Sequence, residues 1–165
     1  MTGRLFIPVG IRAGGVLGIS VTAAALFLSG FPARNDAIIA ETETLSVFEI
    51  RVGDCFDDGA FTGDEVLDIP TVPCTKPHDN EVYAKFAMPG DEWPGDDTVD
   101  QVAMAMCYDR FRAAIGKSYE DSAIDFTTMY PSERSWNQGG DREIICIAFH
   151  MDLAKLTETV RGSGI

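Results

Sequence analysis

Hydrophobic and polar positions change period several times along the chain, and each period predicts a different kind of element. Between Arg12 and Arg34 lie 21 residues without a charge, Ala13 to Ala33. As a helix rising about 1.5 Å per residue, this stretch spans about 30 Å, the thickness of one bilayer core. Val47, Phe48, Ile50 and Val52 then alternate imperfectly with polar residues up to Gly53-Asp54, which predicts a strand over 47–56. Short apolar runs bounded by Pro, Gly and Asp predict further strands over 65–72, 81–88, 124–129 and 143–151. The last contains the unbroken run Ile144 to Phe149 expected of a central strand. One segment has helical spacing: Val99, Val102, Ala103, Met106, Cys107, Phe111, Ala114 and Ile115 share a face over 99–115. Thr98 with Gln101 reads as a capping box and Gly116 as the C-terminal stop. The elements sum to an α+β fold, a small and mainly antiparallel sheet packed on one main helix, preceded by one N-terminal transmembrane helix.

Charge orients that arrangement. The chain carries 13 Lys and Arg against 26 Asp and Glu, a formal net charge of −13. Arg4 and Arg12 precede the uncharged stretch while Asp36, Glu41 and Glu43 follow it, so the positive-inside bias puts the N-terminus in the cytoplasm and the remainder outside. The reading is a cytoplasmic n-region over 1–12, a signal anchor over 13–33, a linker over 34–43, an extracytoplasmic domain over 44–151, and a C-terminal tail over 152–165 that is either helical or frayed. Residues 16–28 also have the length of a secretory h-region, so secretion after cleavage is the competing reading. Small residues at both −3 and −1 are missing, however, because Phe31 precedes Ala33 and Ile38 precedes Ala40. That absence favours an uncleaved anchor in the bacterial cytoplasmic membrane. The acidic surface repels nucleic acid and excludes it as a partner.

The four cysteines, in an exported domain, read as two disulfides. Structural zinc sites place ligands two to four residues apart, whereas the gaps here are 19, 33 and 39 positions. Three pairings are open to four cysteines. Cys55–Cys74 and Cys107–Cys146 are expected, the first closing a hairpin-like return, the second tying the apolar helix face to the central strand. Cys74, His78, Asp79 and Glu81 have side chains that can ligate a divalent ion, but a sulfur in a disulfide does not ligate, and Pro77 with His78 and Asp79 also makes an ordinary turn. His150 is not accompanied by a Gly-x-Ser-x-Gly motif, and Gly139-Gly140 lacks the strand-to-helix setting of a phosphate loop. Trp93, Tyr130 and Trp136 lie near Gly and Pro, where aromatics line a groove or cap a core. No catalytic residue, resident metal or cofactor is assigned.

Val52-Gly53-Asp54-Cys55-Phe56, Val72-Pro73-Cys74 and Pro77-His78-Asp79-x-Glu81-Val82 occur in that order. Cys107 in its helix, Tyr130-Pro131-Ser132, Trp136, Gly140-Asp141-Arg142 and Cys146 follow. Together these residues, over about 47–150, resemble the bacterial septum formation family. The resemblance implies a small exported or membrane-anchored domain linked to cell division, without supplying a molecular activity. The expected function is a non-enzymatic binding or scaffold domain in septum or cell-envelope assembly, its partner an envelope or division protein. His78, Asp79, Glu81, Trp136 and Arg142 are the candidate binding residues. The rivals are an envelope hydrolase using a carboxylate pair and a metal-responsive extracytoplasmic sensor using His78, Asp79 and Glu81.

Overall fold

The computed structural model describes residues 4–6, 42–59 and 65–165. The anchor stretch over 13–33, nearly all of the linker, and the n-region apart from Arg4–Phe6 lie outside the described residues. Among the described residues no helix is long and apolar enough to cross a membrane. The strands are β1 (Arg4–Phe6), β2 (Glu43–Ser46), β3 (Cys55–Phe56), β4 (Glu65–Val66), β5 (Asp68–Val72), β6 (Asn80–Ala87), β7 (Ile124–Pro131) and β8 (Glu143–His150); the helices are α1 (Asp96–Ile115) and α2 (Glu133–Gly139).

All strands join one sheet in the order β2-β5-β3-β6-β8-β7-β1-β4, every pair antiparallel. β8 is central, as its unbroken apolar run predicts, with β6 on one side and β7 on the other. β4 and β5 are parted only by Leu67, so the far ends of the strand order come from one stretch of chain and the sheet curls back on itself. Alternate residues of β8 serve the two faces. Ile144, Cys146 and Ala148 join α1 in the larger apolar cluster, while Ile145 and Ile147 meet Phe56, Val66, Ile69, Val82 and Met129 inside the curl. In β6 the register shifts between Val82 and Ala84, a bulge that turns Val82 to the inner cluster but Tyr83 and Ala84 both to the helix side.

Helix α1 buries Val99, Ala103, Cys107, Phe111 and Ile115, one residue every four, which makes a straight apolar row against β6, β7 and β8. Burial of side chains the size of Phe111 or Ile115 stabilises the fold by about 1.5 to 3 kcal/mol each. Tyr83 reaches from β6 to donate its hydroxyl to the Cys107 carbonyl at 2.9 Å, and burial pushes that hydroxyl above the ordinary tyrosine pKa. Gly116 ends the helix in the left-handed region, φ 93°, where an added Cβ would lie 3.5 Å from the Gly164 nitrogen.

The structure corrects four local expectations. The segment over 47–56 is mostly a turn: Asp54 accepts from the Arg51 N–H through Oδ2 at 2.7 Å, and only Cys55–Phe56 is strand. Val47 and Ile50, both fully buried, are three residues apart, a spacing that suits a turn and not an alternating strand. The Thr98–Gln101 capping box is not used, because Gly95 caps α1 through its backbone and Asp96 and Asp97 occupy the first turn, where acidic groups complement the helix dipole. Helix α2 was not expected; Ser132 caps it by accepting from the Ser135 N–H at 3.1 Å, and Gly140 terminates it. Residues 152–165 are neither helix nor frayed tail. They run back as a strap, burying Leu156 and Val160 in the larger cluster and donating from Gly162 and Gly164 to the carbonyls of Ala114 and Ile115.

Candidate functional site

Both expected disulfides are formed, Cys55–Cys74 with α-carbons 5.3 Å apart and Cys107–Cys146 with α-carbons 5.5 Å apart, and no cysteine is free. The second bridge is entirely dry, with both residues at 0% exposure. In the first, Cys55 is 1% exposed, but Cys74, just beyond β5, is partly open to solvent. A groove of about 640 Å³ runs over this bridge and is lined in part by Leu45, Gly53, Thr71 and Pro73.

Behind the bridge lies a group of buried polar side chains. Cys55 and Glu81 are direct cross-strand neighbours on β3 and β6, and His78 precedes β6 by two residues. Pro77 turns the chain into His78, whose N–H donates to the Leu156 carbonyl at 2.9 Å and whose carbonyl accepts from the Leu156 N–H at 2.8 Å. This two-way bond to the C-terminal strap presses the imidazole inward, to 0% exposure. Its Nδ1 lies 2.7 Å from the Lys76 carbonyl, which can only accept, so Nδ1 carries a proton and Nε2 is the nitrogen left for another partner. Nε2 is buried and finds no hydrogen-bond partner among the described residues. Glu81 is also fully buried, and its two carboxylate oxygens accept from the Thr159 hydroxyl at 2.7 Å and the Val160 N–H at 2.6 Å. One ligand-type atom from each of Cys55, His78 and Glu81 lies within 4.8 Å of the others.

The remaining candidates go elsewhere. Asp79 faces outward, accepting from the Asp58 N–H at 3.0 Å and from Lys155 at 2.8 Å, so it does not converge with His78 and Glu81. Lys155 also reaches Asp57 at 2.6 Å. Partial burial pulls the Lys155 ammonium toward its neutral form, but the bonds and the negative charge of Asp57 and Asp79 outweigh this and raise its pKa above the ordinary lysine value. Trp136 is 1% exposed and donates from Nε1 to the Asp91 carbonyl at 3.1 Å. The Arg142 guanidinium stacks 3.7 Å from the Trp136 ring centroid and donates to the carbonyls of Gly90, Asp91 and Trp136. These two residues clamp the loop before α1 onto α2, a packing role for Trp136 and a bridging one for Arg142. His150, at the end of β8, accepts through Nδ1 from the Asp152 N–H.

Sequence spacing brought out His78 and Glu81, but not the company they keep. Thr159, Val160 and Leu156 close the site from more than 70 positions away, and local pattern carries no signal for a contact of that range. Cys55 could have been placed beside Glu81 from strand pairing alone, had β3 been recognised as the two-residue strand it is.

No curated protein and no solved structure matches the chain. A model of the family described as septum formation does match, over residues 52–162, from the turn before Cys55 through the strap that closes on Glu81. The match covers more than half of the sequence and includes both disulfides and the buried His78–Glu81 pair: the chain belongs to the septum formation family.

Proposed function

We propose that this protein is a non-enzymatic binding or scaffold domain, held at the outer face of the cytoplasmic membrane by residues 13–33, which serves septum or envelope assembly by engaging a division or envelope protein. The observation that carries the reading is the pair of closed disulfides in a domain of the septum formation family. Disulfides form and persist in oxidising compartments such as the bacterial periplasm and the cell surface, which supports a domain placed outside the cytoplasmic membrane. The groove over Cys55–Cys74 is a concave surface for a partner segment, rimmed by the backbone edge of β2. Anchoring with the N-terminus in the cytoplasm also has a structural requirement. Arg4–Phe6 pairs with β7 and β4 on the domain, so in the anchored chain β1 must be withdrawn from the sheet.

Fractionation tests the reading. The full chain is expected to stay with membranes through an alkaline wash and to be digested by protease added to intact spheroplasts. A soluble species beginning after Ala33 or Ala37 overturns the anchor. Crosslinking in dividing cells is expected to recover an envelope or division protein. Cleavage of peptidoglycan by the purified protein, abolished by replacing one acidic residue, overturns the non-enzymatic role.

A further inference from the structure

We propose that the Cys55–Cys74 disulfide covers a divalent-metal site, and that its reduction releases Cys55 as the third ligand beside His78 and Glu81. Three observations made independently of one another converge on this. The ligand-type atoms of Cys55, His78 and Glu81 already lie within 4.8 Å of one another. A tetrahedral zinc-like ion with bonds of about 2.0 to 2.3 Å holds its ligands about 3.3 to 3.8 Å apart, so closing the set takes a movement of about 1 Å. Second, His78 Nε2 is buried without a hydrogen-bond partner among the described residues, although buried polar atoms are otherwise nearly always bonded. Third, the outer contacts of a metal site are in place. Lys76 holds the Nδ1 proton of His78, and Thr159 and Val160 hold the Glu81 carboxylate, which is how second-shell groups orient metal ligands.

The charges also match. A Cys55 thiolate and the Glu81 carboxylate together balance a divalent cation, whereas two buried anions without one are costly. In the oxidised protein the sulfur is committed to Cys74 and only two ligands remain, so the bridge and the metal exclude each other.

The exposure of the two residues sets the order of events. A thiolate from a dithiol reductant attacks the sulfur of Cys74, the residue that is partly exposed; a mixed disulfide forms at Cys74 and the Cys55 thiolate leaves into the buried cluster. The reductant's second thiol displaces Cys74, which departs as a thiol. The dithiol has become a disulfide and the protein has gained two electrons and two protons. Metal binding then replaces the proton on Cys55, releasing it to solvent. The fully buried Cys107–Cys146 bridge keeps the helix on the sheet throughout.

Cobalt(II) reports thiolate ligation by a sulfur-to-metal charge-transfer absorption, and the full chain is the material to test. After reduction by a dithiol and its removal without oxygen, the chain is expected to bind one cobalt ion with that absorption, at least about 100-fold more tightly than the oxidised chain. Cys74→Ser is expected to bind without any reductant. Cys55→Ser should lose the absorption, and His78→Ala should weaken binding at least about tenfold. Near-ultraviolet circular dichroism follows the fold in each variant. Where reduction or Cys74→Ser loosens the domain, zinc or cobalt is expected to restore it, because binding a folded site is folding free energy. Absence of the absorption in both reduced protein and Cys74→Ser overturns the proposal. So does its persistence in Cys55→Ser, or a loosened domain that metal leaves unfolded.

Discussion

The two disulfides are alike in α-carbon separation and differ in nearly everything around them. Cys107–Cys146 joins the middle of α1 to the central strand, both ends at 0% exposure, with Tyr83 hydroxyl-bonded to the Cys107 carbonyl beside it. Cys55–Cys74 joins a two-residue strand to a turn, with Cys74 partly exposed and the buried His78 and Glu81 beside Cys55. The first sits where apolar packing already specifies the contact. The second sits where the local strands are too short to specify much. Apolar packing therefore specifies which cysteines meet in one half of the molecule, and in the other the bridge itself fixes the contact.

The sharpest way to break this contrast is to remove each bridge in turn. Cys107→Ala with Cys146→Ala opens a loop closed across 39 positions and is expected to lower stability by roughly 4 kcal/mol on the chain-entropy argument, read from the midpoint of denaturant unfolding. Cys55→Ala with Cys74→Ala, across 19 positions, is expected to lose roughly 3 kcal/mol. Equal losses would mean that loop length is not what separates them. The same bridge should yield first to limited reduction, with alkylation and peptide mapping finding label on Cys55 and Cys74 before Cys107 and Cys146. Simultaneous labelling would show that the dry bridge is no better protected.

Leu156→Ala probes the strap that presses His78 inward. It is expected to destabilise by about 2 to 3 kcal/mol and to speed hydrogen exchange at the His78 amide, since Leu156 is 5% exposed within the larger cluster. Unchanged exchange would uncouple the strap from the histidine. The smallest effect belongs to Lys155. Its folded pKa is raised above the unfolded value of about 10.4, so its contribution is complete below that pH and disappears as pH rises through the folded value. Being half exposed, the interaction contributes under about 1 kcal/mol. Lys155→Met should thus lower stability slightly at about pH 8, and the difference from the native chain should shrink in alkali; a difference that grows in alkali would contradict the sign.

Sequence reading succeeded where a single local period decides the structure. The row Val99, Ala103, Cys107, Phe111, Ile115 announces a helix face, and the run Ile144 to Phe149 announces a strand covered on both sides. Those two elements put Cys107 opposite Cys146. It failed where a backbone detail or a distant partner decides. The bulge between Val82 and Ala84 inverts the facing of half a strand without altering its composition. The Ser132 cap and Gly140 stop of α2 were present in the sequence, but seven residues of helix rest on Trp136 and Arg142 contacts and not on periodicity. The candidate site was half legible. His78 and Glu81 were singled out by their chemistry, whereas the outward turn of Asp79 and the closure by Thr159 and Val160 depend on a strap with no pattern of its own.

The placement of β8 also fixes the order in which the molecule can be made. The strand that joins β6 to β7 begins at Glu143, and the strap that completes the core follows it. A ribosome must therefore deliver nearly the whole domain before its sheet has a middle, and the contacts that then form are long-range, the slow kind. Until that moment Cys107 has no strand opposite it to tell it which partner is correct. Correct pairing of Cys107 waits for the arrival of Cys146, so this bridge can close only late in the making of the chain.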